Sequence, residues 1–344
     1  MSTELSPQRL RATLTAAVDA SLEAQGLSSP NPPVGAVILD ADGTVAGVGH
    51  TQPVGGPHAE VMALRVAGER ARGGTAVVTL EPCNHTGRTG PCSQALLDAG
   101  IGRVYYGVAD PNPQAAGGAS TLVAAGVSVH GGADLDPTLT DIVESGPLRT
   151  WLHRQRTGRP LVTVKMAATV DGRIAAPDGT SRWITGPRAR AHAHEQRGRI
   201  DAIIVGTGTV VADDPALTAR TPDGDLRPHQ PTRVILGTRE IGSGAKIFDD
   251  AAPTIQVRSH DPRAVLDALD DALWVLVEGG PSIIGAFFDT DLVDEVDLYL
   301  APAVLGAGPA AVDMASTSTI ADLRRFVFGE PQRLGDDLLI TLRR

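Results

Sequence analysis

His58, Cys83 and Cys92 carry the three side chains of this sequence best suited to hold one zinc ion. An imidazole and two thiols leave the fourth tetrahedral position to water, which is the pattern of a catalytic site rather than a closed structural one. Glu60 stands two residues from His58, so its carboxylate can reach that water without binding the metal. The chemistry within reach is hydrolytic: water adds at an electrophilic carbon, a leaving group departs, and Glu60 moves the protons. Other readings remain open. The chain has two cysteines and both lie in this stretch, so they could form a disulfide or act as small buried apolar residues. Residues 1–6 show neither the basic segment nor the apolar run of an export signal, which argues against the disulfide. A closed structural site would need a fourth protein ligand, and His85 is the nearest candidate.

The elements around these residues suit that chemistry. Residues 9–23 have helical spacing, with Leu10, Leu14, Val18 and Leu22 recurring every four positions. Residues 34–39 read as a buried strand, 40–43 as a turn and 44–49 as a returning strand. A helix is expected over 58–72, with Ala59, Met62, Ala63 and Val66 on one face, followed by a strand over 75–80 ending at Glu81. Helices over 93–99 and 122–125 and strands over 103–107 and 127–130 complete an α/β pattern with helices on both faces of a sheet. His58 and Glu60 thus open one helix, and Cys83 and Cys92 flank the start of the next. A helix N-terminus favours thiolate and hydroxide there. Residues 84–91 include three that are Gly or Pro and read as a loop over the metal.

The length of 344 residues suits two domains. They are expected over 1–150 and 151–344, with a helix over 136–156 leading out through the polar stretch 154–160. The second half repeats the α/β alternation, with strands over 161–168, 202–205, 233–236, 255–258, 273–278 and 296–301. Helices are expected over 187–197 and 282–288. Two strands end in glycine-rich turns, Gly206-Thr207-Gly208-Thr209 and Gly279-Gly280-Pro281-Ser282. Their backbone could cradle a pyrophosphate, although neither matches the G-x-G-x-x-G fingerprint and such turns are often only turns. The apolar content is 42% with eleven aromatic residues, so the cores must be built from Val, Leu, Ile and Ala. A net charge of −10 argues against a nucleic-acid surface. No apolar run is long enough to cross a membrane.

The ordered segments of the chain resemble the bifunctional deaminase–reductases of bacterial riboflavin biosynthesis. In the first half these are Pro30-Asn31-Pro32-Pro33-Val34-Gly35, His58-Ala59-Glu60, Thr79-Leu80-Glu81-Pro82-Cys83, Gly87-Arg88-Thr89 with Pro91-Cys92, and Asp110-Pro111-Asn112-Pro113. In the second half they are Arg156-Thr157-Gly158-Arg159-Pro160, Val170 to Ala175, Trp183-Ile184-Thr185, Ala212 to Thr218 and Val277 to Pro281. The H-x-E…P-C…C core is shared with zinc nucleobase deaminases in general. The eight residues between the cysteines separate it from the shorter C-x-x-C loop of cytidine and transfer-RNA deaminases.

The resemblance implies a cytidine-deaminase-like three-layer α/β/α domain followed by a dihydrofolate-reductase-like α/β domain, in a homo-oligomer; the composition of the whole chain makes a cytoplasmic location the expectation. The implied substrate is a pyrimidine ribosyl phosphate. Zinc-dependent hydrolysis would remove the 2-amino group of 2,5-diamino-6-ribosylamino-4(3H)-pyrimidinone 5′-phosphate. NADPH would then reduce the ribosyl chain to ribityl, giving 5-amino-6-ribitylamino-uracil 5′-phosphate. The carried-over substrate positions are Asn31, His50, Arg88 and Asn112 in the first half. In the second they are Lys165, Ser181, Arg197, Leu217, Arg220 and Glu278, with the two guanidiniums of Arg197 and Arg220 suited to a phosphate monoester. The NADPH positions are Ala167, Trp183, Thr209, Asp213, Thr238 and the run Gly280, Pro281, Ser282, Ile283, Ile284, Gly285 and Ala286. Asn31, His50, Asn112 and the Asp171-Gly172 turn each have a plainer reading as turn or strand-end residues. No strong acid or base is required for hydride transfer, which rests on holding the two reacting carbons close.

Two departures from the family stand out. Its Gly-Arg-Gly or Gly-Lys-Gly turn is here Gly117-Gly118-Ala119, which removes a basic residue at Gly118. Its Asp-Ser after a reductase strand is Gly237-Thr238, with Arg239 beside it to favour the 2′-phosphate of NADPH. Rival readings are a nucleic-acid deaminase, which would need a basic aromatic groove, a binding protein that has lost one activity, and a purely structural zinc staple.

Overall fold

The computed structural model describes residues 4–85 and 90–344. Arg88 therefore lies outside the described residues. The chain divides into two compact units, Met1–Gly158 and Arg159–Arg344.

The first unit runs α1 (Pro7–Ser21), β1 (Gly35–Leu39), β2 (Val45–His50), α2 (Ala59–Ala67), β3 (Thr75–Leu80), α3 (Cys92–Asp98), β4 (Arg103–Val108), α4 (Gly118–Ala124), β5 (Ser128–Gly131), α5 (Pro137–Ser145) and α6 (Arg149–Thr157). Its sheet has the order β2-β1-β3-β4-β5. The β2–β1 and β1–β3 pairs are antiparallel, and β3–β4 and β4–β5 are parallel. Helices α1 and α5 pack together over one part of this sheet, while α2, α3 and α4 follow one another over it. Every residue of β1 and of β3 is buried, as expected of strands covered on both faces. Ser6 caps α1 by accepting from the Arg9 N–H, and Pro7 occupies the first turn, where its missing donor costs nothing.

Helix α2 sits unusually close to β2. A Cβ at Gly47 would lie 2.2 Å from the Ala63 carbonyl oxygen, and one at Gly49 would lie 2.4 Å from the Ala63 nitrogen. Only glycine on the strand and alanine on the helix permit this approach. The buried face of α2 is accordingly Ala59, Glu60, Ala63 and Ala67. The expected Val66 is 64% exposed, because the small-residue stripe, and not the branched side chain, meets the strand. The single helix expected over 136–156 is two helices, broken where Gly146 and Pro147 interrupt the ladder.

The second unit runs β6 (Leu161–Thr169), α7 (Pro187–Arg197), β7 (Ala202–Gly206), α8 (Thr207–Asp213), β8 (Thr232–Leu236), β9 (Thr254–Val257), α9 (Arg263–Asp267), β10 (Trp274–Val277), α10 (Pro281–Asp289), β11 (Glu295–Ala301), β12 (Val327–Phe328), β13 (Gln332–Leu334) and β14 (Asp337–Arg343). The strand order is β12-β14-β11-β6-β10-β7-β8-β9, with β13 also pairing β14. From β11 to β9 the strands are parallel, and β14 is antiparallel to β11. Val162, Val164, Ala202, Ile204, Val234, Val275 and Val277 form the centre of the larger core. Strands β6, β10 and β7 lie side by side with Val277 opposite Val164 and Ile204, so Lys165 in mid-β6 comes beside Glu278 and Gly206 at the carboxyl ends of β10 and β7. In parallel α/β sheets, ligands bind outside those carboxyl ends.

Candidate active sites

The end of β3 and the starts of α2 and α3 bring the zinc candidates together. His58 caps α2, Cys92 opens α3 and Cys83 follows β3 by three residues. One ligand atom from each lies within 4.8 Å of the other two. The His58 Nδ1 is 3.2 Å from the Cys92 Sγ and 3.6 Å from the Cys83 Sγ, and the Cys92 N–H donates to the Cys83 Sγ at 3.4 Å. His85 lines the neighbouring cavity but is outside this cluster. Among the described residues the donor set is therefore one nitrogen and two sulfurs, which fits zinc with a position left over.

Protons alone suit these groups poorly. A hydrogen bond from the Cys92 thiol, with the His58 ring as a further donor, draws the Cys83 thiol down to about 4. The same bond, together with burial, pushes the Cys92 thiol up. Two sulfurs this close cannot both ionise without a cation between them. Glu60 is 4% exposed and faces the same cavity. Burial pushes its carboxyl up to about 6, and the Cys83 sulfur adds to the effect. A carboxyl poised there can take up and return a proton near neutral pH.

The cavity in front of Glu60 is about 280 Å³ and is lined by Asn31, Thr51, His58, Glu81, Cys83, Asp110 and Asn112, among others. Neither the Asn31 nor the Gln155 amide bonds any described residue, and both reach the cavity. Asn112 satisfies both readings: its Oδ1 accepts from the Gln114 N–H at 3.1 Å, closing a turn, while the residue still faces the cavity. His50 ends β2 and is not among the lining residues; its neighbour Thr51 is.

Glu81 has a role that motif reading did not assign. Its buried carboxylate accepts from the backbone N–H of Asp110 at 3.2 Å, of Gly117 at 3.1 Å and of Ala119 at 3.2 Å. One side chain thereby anchors the Asn112 loop and the start of α4 beside Cys83. The signal was an acid at a strand end with no role in binding the metal. The structure also revises the reading of Gly118. A Cβ there would lie 1.7 Å from the Pro82 carbonyl oxygen, so this position holds a glycine for packing and is not the slot of a lost basic side chain. Gly117, at φ +99°, is the residue of the pair with open space around it.

In the second unit two cavities share Lys165, Arg182, Trp183, Thr185, Arg190, Arg197, Pro215 and Leu217, so they are lobes of one cleft. One lobe, about 490 Å³, is lined by Ala167, Ser181, Thr209, Asp213, Glu278, Gly280 and Ile284. The other, about 690 Å³, adds His194, Thr218, Arg220 and Tyr299. Lys165 stands at the junction, 3.7 Å from Glu278 and 5.6 Å from the centre of the Tyr299 ring. Glu278 binds Arg197 through two hydrogen bonds of 2.8 and 2.7 Å. Burial alone would raise the Glu278 carboxyl, but Arg197 and Lys165 hold it at about 2. Arg197 is thus committed to Glu278 and to the Thr218 carbonyl, and Arg220 to Thr218 Oγ1 and the Gly224 carbonyl. Trp183 is 69% exposed, with the Arg190 guanidinium stacked 4.3 Å from its ring centre.

The two glycine-rich turns open adjacent helices, α8 and α10, and their glycines differ in role. Cβ atoms at Gly206 and Gly279 would lie 2.5 and 2.7 Å from atoms of Ile283, so that side chain fills the gap both leave. Gly208 has nothing within 4 Å and Gly280 only the Thr209 hydroxyl, at 3.9 Å, which leaves these two backbones open to a phosphate. A Cβ at Gly285 would lie 1.7 Å from the Asp313 carbonyl oxygen, so its bareness serves packing. Pro281, Ser282, Ile283, Gly285, Ala286 and Thr238 are not among the lining residues, and Thr238 instead meets His260 at 3.3 Å. The segment below the cleft is held in strained backbone: Asp214 has φ 42° and Leu217 has φ 51°. Buried Arg233 pins it through the Ala216 carbonyl, and His194 and Arg197 through that of Thr218.

Comparison with known proteins matches each half of the chain to a family. Residues 7–108 match the cytidine and deoxycytidylate deaminase zinc-binding region, and residues 160–340 match the RibD C-terminal domain. The riboflavin biosynthesis protein RibD of Mycobacterium tuberculosis is 50% identical over 326 residues, covering 95% of each chain. The RibD protein of Escherichia coli is 36% identical, covering 91% of this chain and 93% of its own. A solved diaminohydroxyphosphoribosylaminopyrimidine deaminase/5-amino-6-(5-phosphoribosylamino)uracil reductase from Thermotoga maritima superposes with a TM-score of 0.87 at 31% identity, covering 98% of this chain and 99% of that one.

Proposed function

Since the chain belongs to the RibD family of riboflavin-biosynthesis deaminase–reductases, we propose that each of its two units catalyses one reaction, with the residues as follows. The enzyme is bifunctional, a hydrolase and an oxidoreductase. The observation that carries the first assignment is the His58–Cys83–Cys92 cluster with Glu60 facing the same cavity.

In the first unit His58, Cys83 and Cys92 would hold zinc, which supplies the Lewis acidity that makes water a nucleophile at neutral pH. Glu60 takes one proton from the attacking water and passes it to the ring nitrogen, then carries the proton of the newly added hydroxyl to the departing amine, which leaves as ammonia. The balance is one water consumed and one ammonia released from the 2-amino position of the diaminopyrimidinone ribosyl phosphate. Asn31 and Asn112 present amides to the pyrimidinone edge, and Glu81 holds the Asn112 loop in place. Arg88 is the family position for a further substrate contact.

In the second unit NADPH, when bound, supplies a hydride for the ribosyl carbon. Ala167, Trp183, Thr209, Asp213 and Gly280 line the lobe where it fits, with the open backbones of Gly208 and Gly280 toward its phosphates. Thr238 and Arg239 lie beyond β8, on the side proposed for the 2′-phosphate. Lys165, Leu217 and Arg220 line the substrate lobe, and Ser181 and Glu278 approach the substrate from the cofactor lobe, where Glu278 meets Lys165 at the junction. Arg197 orients Glu278 and keeps it ionised. The proposed enzyme is cytoplasmic and, as the resemblance implies, a homo-oligomer, and its mass in solution checks the second point.

The test is to supply the diaminopyrimidinone phosphate with and without NADPH and identify the products by mass. Without NADPH the expected product is the deaminated ribosylaminouracil phosphate; with it, the ribitylamino compound. Glu60→Gln should keep its zinc and lose ammonia release. Undiminished ammonia release by that variant would overturn the deaminase assignment.

A further inference from the structure

The wall of the deaminase cavity includes two residues outside every recognised motif. Trp151 and Gln155 lie four positions apart on α6, hence on one face of that helix, and both line the cavity that holds Glu60 and the zinc candidates. Trp151 is 5% exposed. Among the described lining residues it has the one indole or phenyl ring; the other apolar walls are Pro30, Pro32, Val34, Leu80 and Ala115. Gln155 is exposed, and its amide bonds no described residue.

We propose that α6 forms the substrate-positioning face of the deaminase site, with the Trp151 indole packed on the pyrimidinone ring and the Gln155 amide meeting the ribosyl side. The proposal rests on the deaminase reading above and deepens it. A flat heterocycle presented to Glu60 must be fixed in tilt as well as in plane. Amides such as those of Asn31 and Asn112 fix it in plane through its polar edges. An aromatic face fixes the tilt and leaves those edges free, because every pyrimidine has a π-face to stack. The cavity, about 280 Å³, lies just under the usual range for whole-ligand sites, about 300–1,000 Å³. It takes the base and leaves the ribosyl phosphate outside, past the exposed Gln155. Both residues follow residue 150, so a deaminase domain cut there would lose this wall.

The test uses the full chain and steady-state ammonia release from the diaminopyrimidinone phosphate. Trp151→Leu keeps apolar bulk without a π-face, and Trp151→Phe keeps the face. Trp151→Leu should raise KM about tenfold with kcat little changed, while Trp151→Phe stays near the wild-type KM. Gln155→Ala should raise KM about threefold, the effect of one modest hydrogen bond. Each variant should retain about one zinc per chain. Wild-type KM in Trp151→Leu with zinc retained would overturn the proposal. So would a fall in kcat alone that Phe does not rescue, since that is the mark of a merely structural indole. If Trp151→Leu fails to fold, Trp151→Met takes its place under the same criteria. A wild-type chain that releases no ammonia would instead overturn the deaminase reading itself.

Discussion

Replacing Gly118 by alanine should damage the deaminase site, although alanine is the better helix former. The added Cβ would lie 1.7 Å from the Pro82 carbonyl oxygen and 2.8 Å from its carbon. Even a close carbon–oxygen contact sits near ~3.3 Å, so two backbone segments would have to part by about 1.5 Å. Neither segment is free to move. Pro82 is flanked by Cys83 and by Glu81, and Glu81 is bonded to the Gly117 and Ala119 N–H groups on either side of the intruding atom. The helix-propensity gain of Gly→Ala, at most ~1 kcal/mol, is set against overpacking of about 1–3 kcal/mol. Loosening the charge-assisted bonds to Glu81 adds about 1.5 kcal/mol each. The net expected loss is roughly 3–5 kcal/mol, or a fall in melting temperature of roughly 6–20 °C for a unit of this size. Thermal unfolding of the full chain, followed beside zinc content and ammonia release, measures it. Gly118→Lys, the change that would restore a basic residue at this position, should be worse still. A melting temperature within about 2 °C of wild type, with full zinc and undiminished ammonia release in Gly118→Ala, would mean that the backbone at Pro82 has room for a side chain here and that tight packing does not fix this glycine.

Further expectations follow from the same geometry. Glu81→Ala removes the acceptor of three backbone N–H groups and should cost about 3 kcal/mol or more, read by urea unfolding. Glu81→Gln keeps one acceptor oxygen and should lose less. Glu278 is depressed from 4.5 to about 2 in the folded chain, which stabilises the fold by roughly 3 kcal/mol above pH ~4.5. That contribution shrinks as the pH falls through the folded value, so the stability gap between wild type and Glu278→Gln should be full at pH ~7 and should close toward pH ~2. A gap that does not vary with pH would contradict the assignment. Gly285→Ala should destabilise the second unit through the 1.7 Å approach to the Asp313 carbonyl, and its melting temperature should fall without any change in zinc content.

The central strands of both sheets are legible because their burial is written as apolar runs: 34–39, 75–80 and 202–205 each form a strand within a residue or so. The zinc residues were legible because a metal demands rare residue types at fixed spacing. What was not legible depends on partners distant in sequence. Nothing local told that Val66 faces outward and Ala67 inward, since the choice is made by Gly47 and Gly49 on β2. The commitment of Arg197 to Glu278 spans 81 positions; on sequence alone a guanidinium in this family reads as a phosphate ligand. Strand β14 was missed although Leu338, Ile340 and Leu342 alternate, because it is the one long strand that enters its sheet antiparallel after an extended irregular stretch. Glu81 and Trp151 were both visible as letters, but their roles come from what they face.

The Ile283 side chain, which fills the space left by Gly206 and Gly279, has a consequence for inheritance and for engineering. The three positions form one shape and can change only together: an alanine at 206 or 279 asks for something smaller at 283. A chimera whose crossover falls between 206 and 279 would join a glycine from one parent to a branched residue from another. Such recombinants should be viable only when both parents carry the same triplet, and double substitutions that exchange bulk between these sites should recover stability that either single change loses.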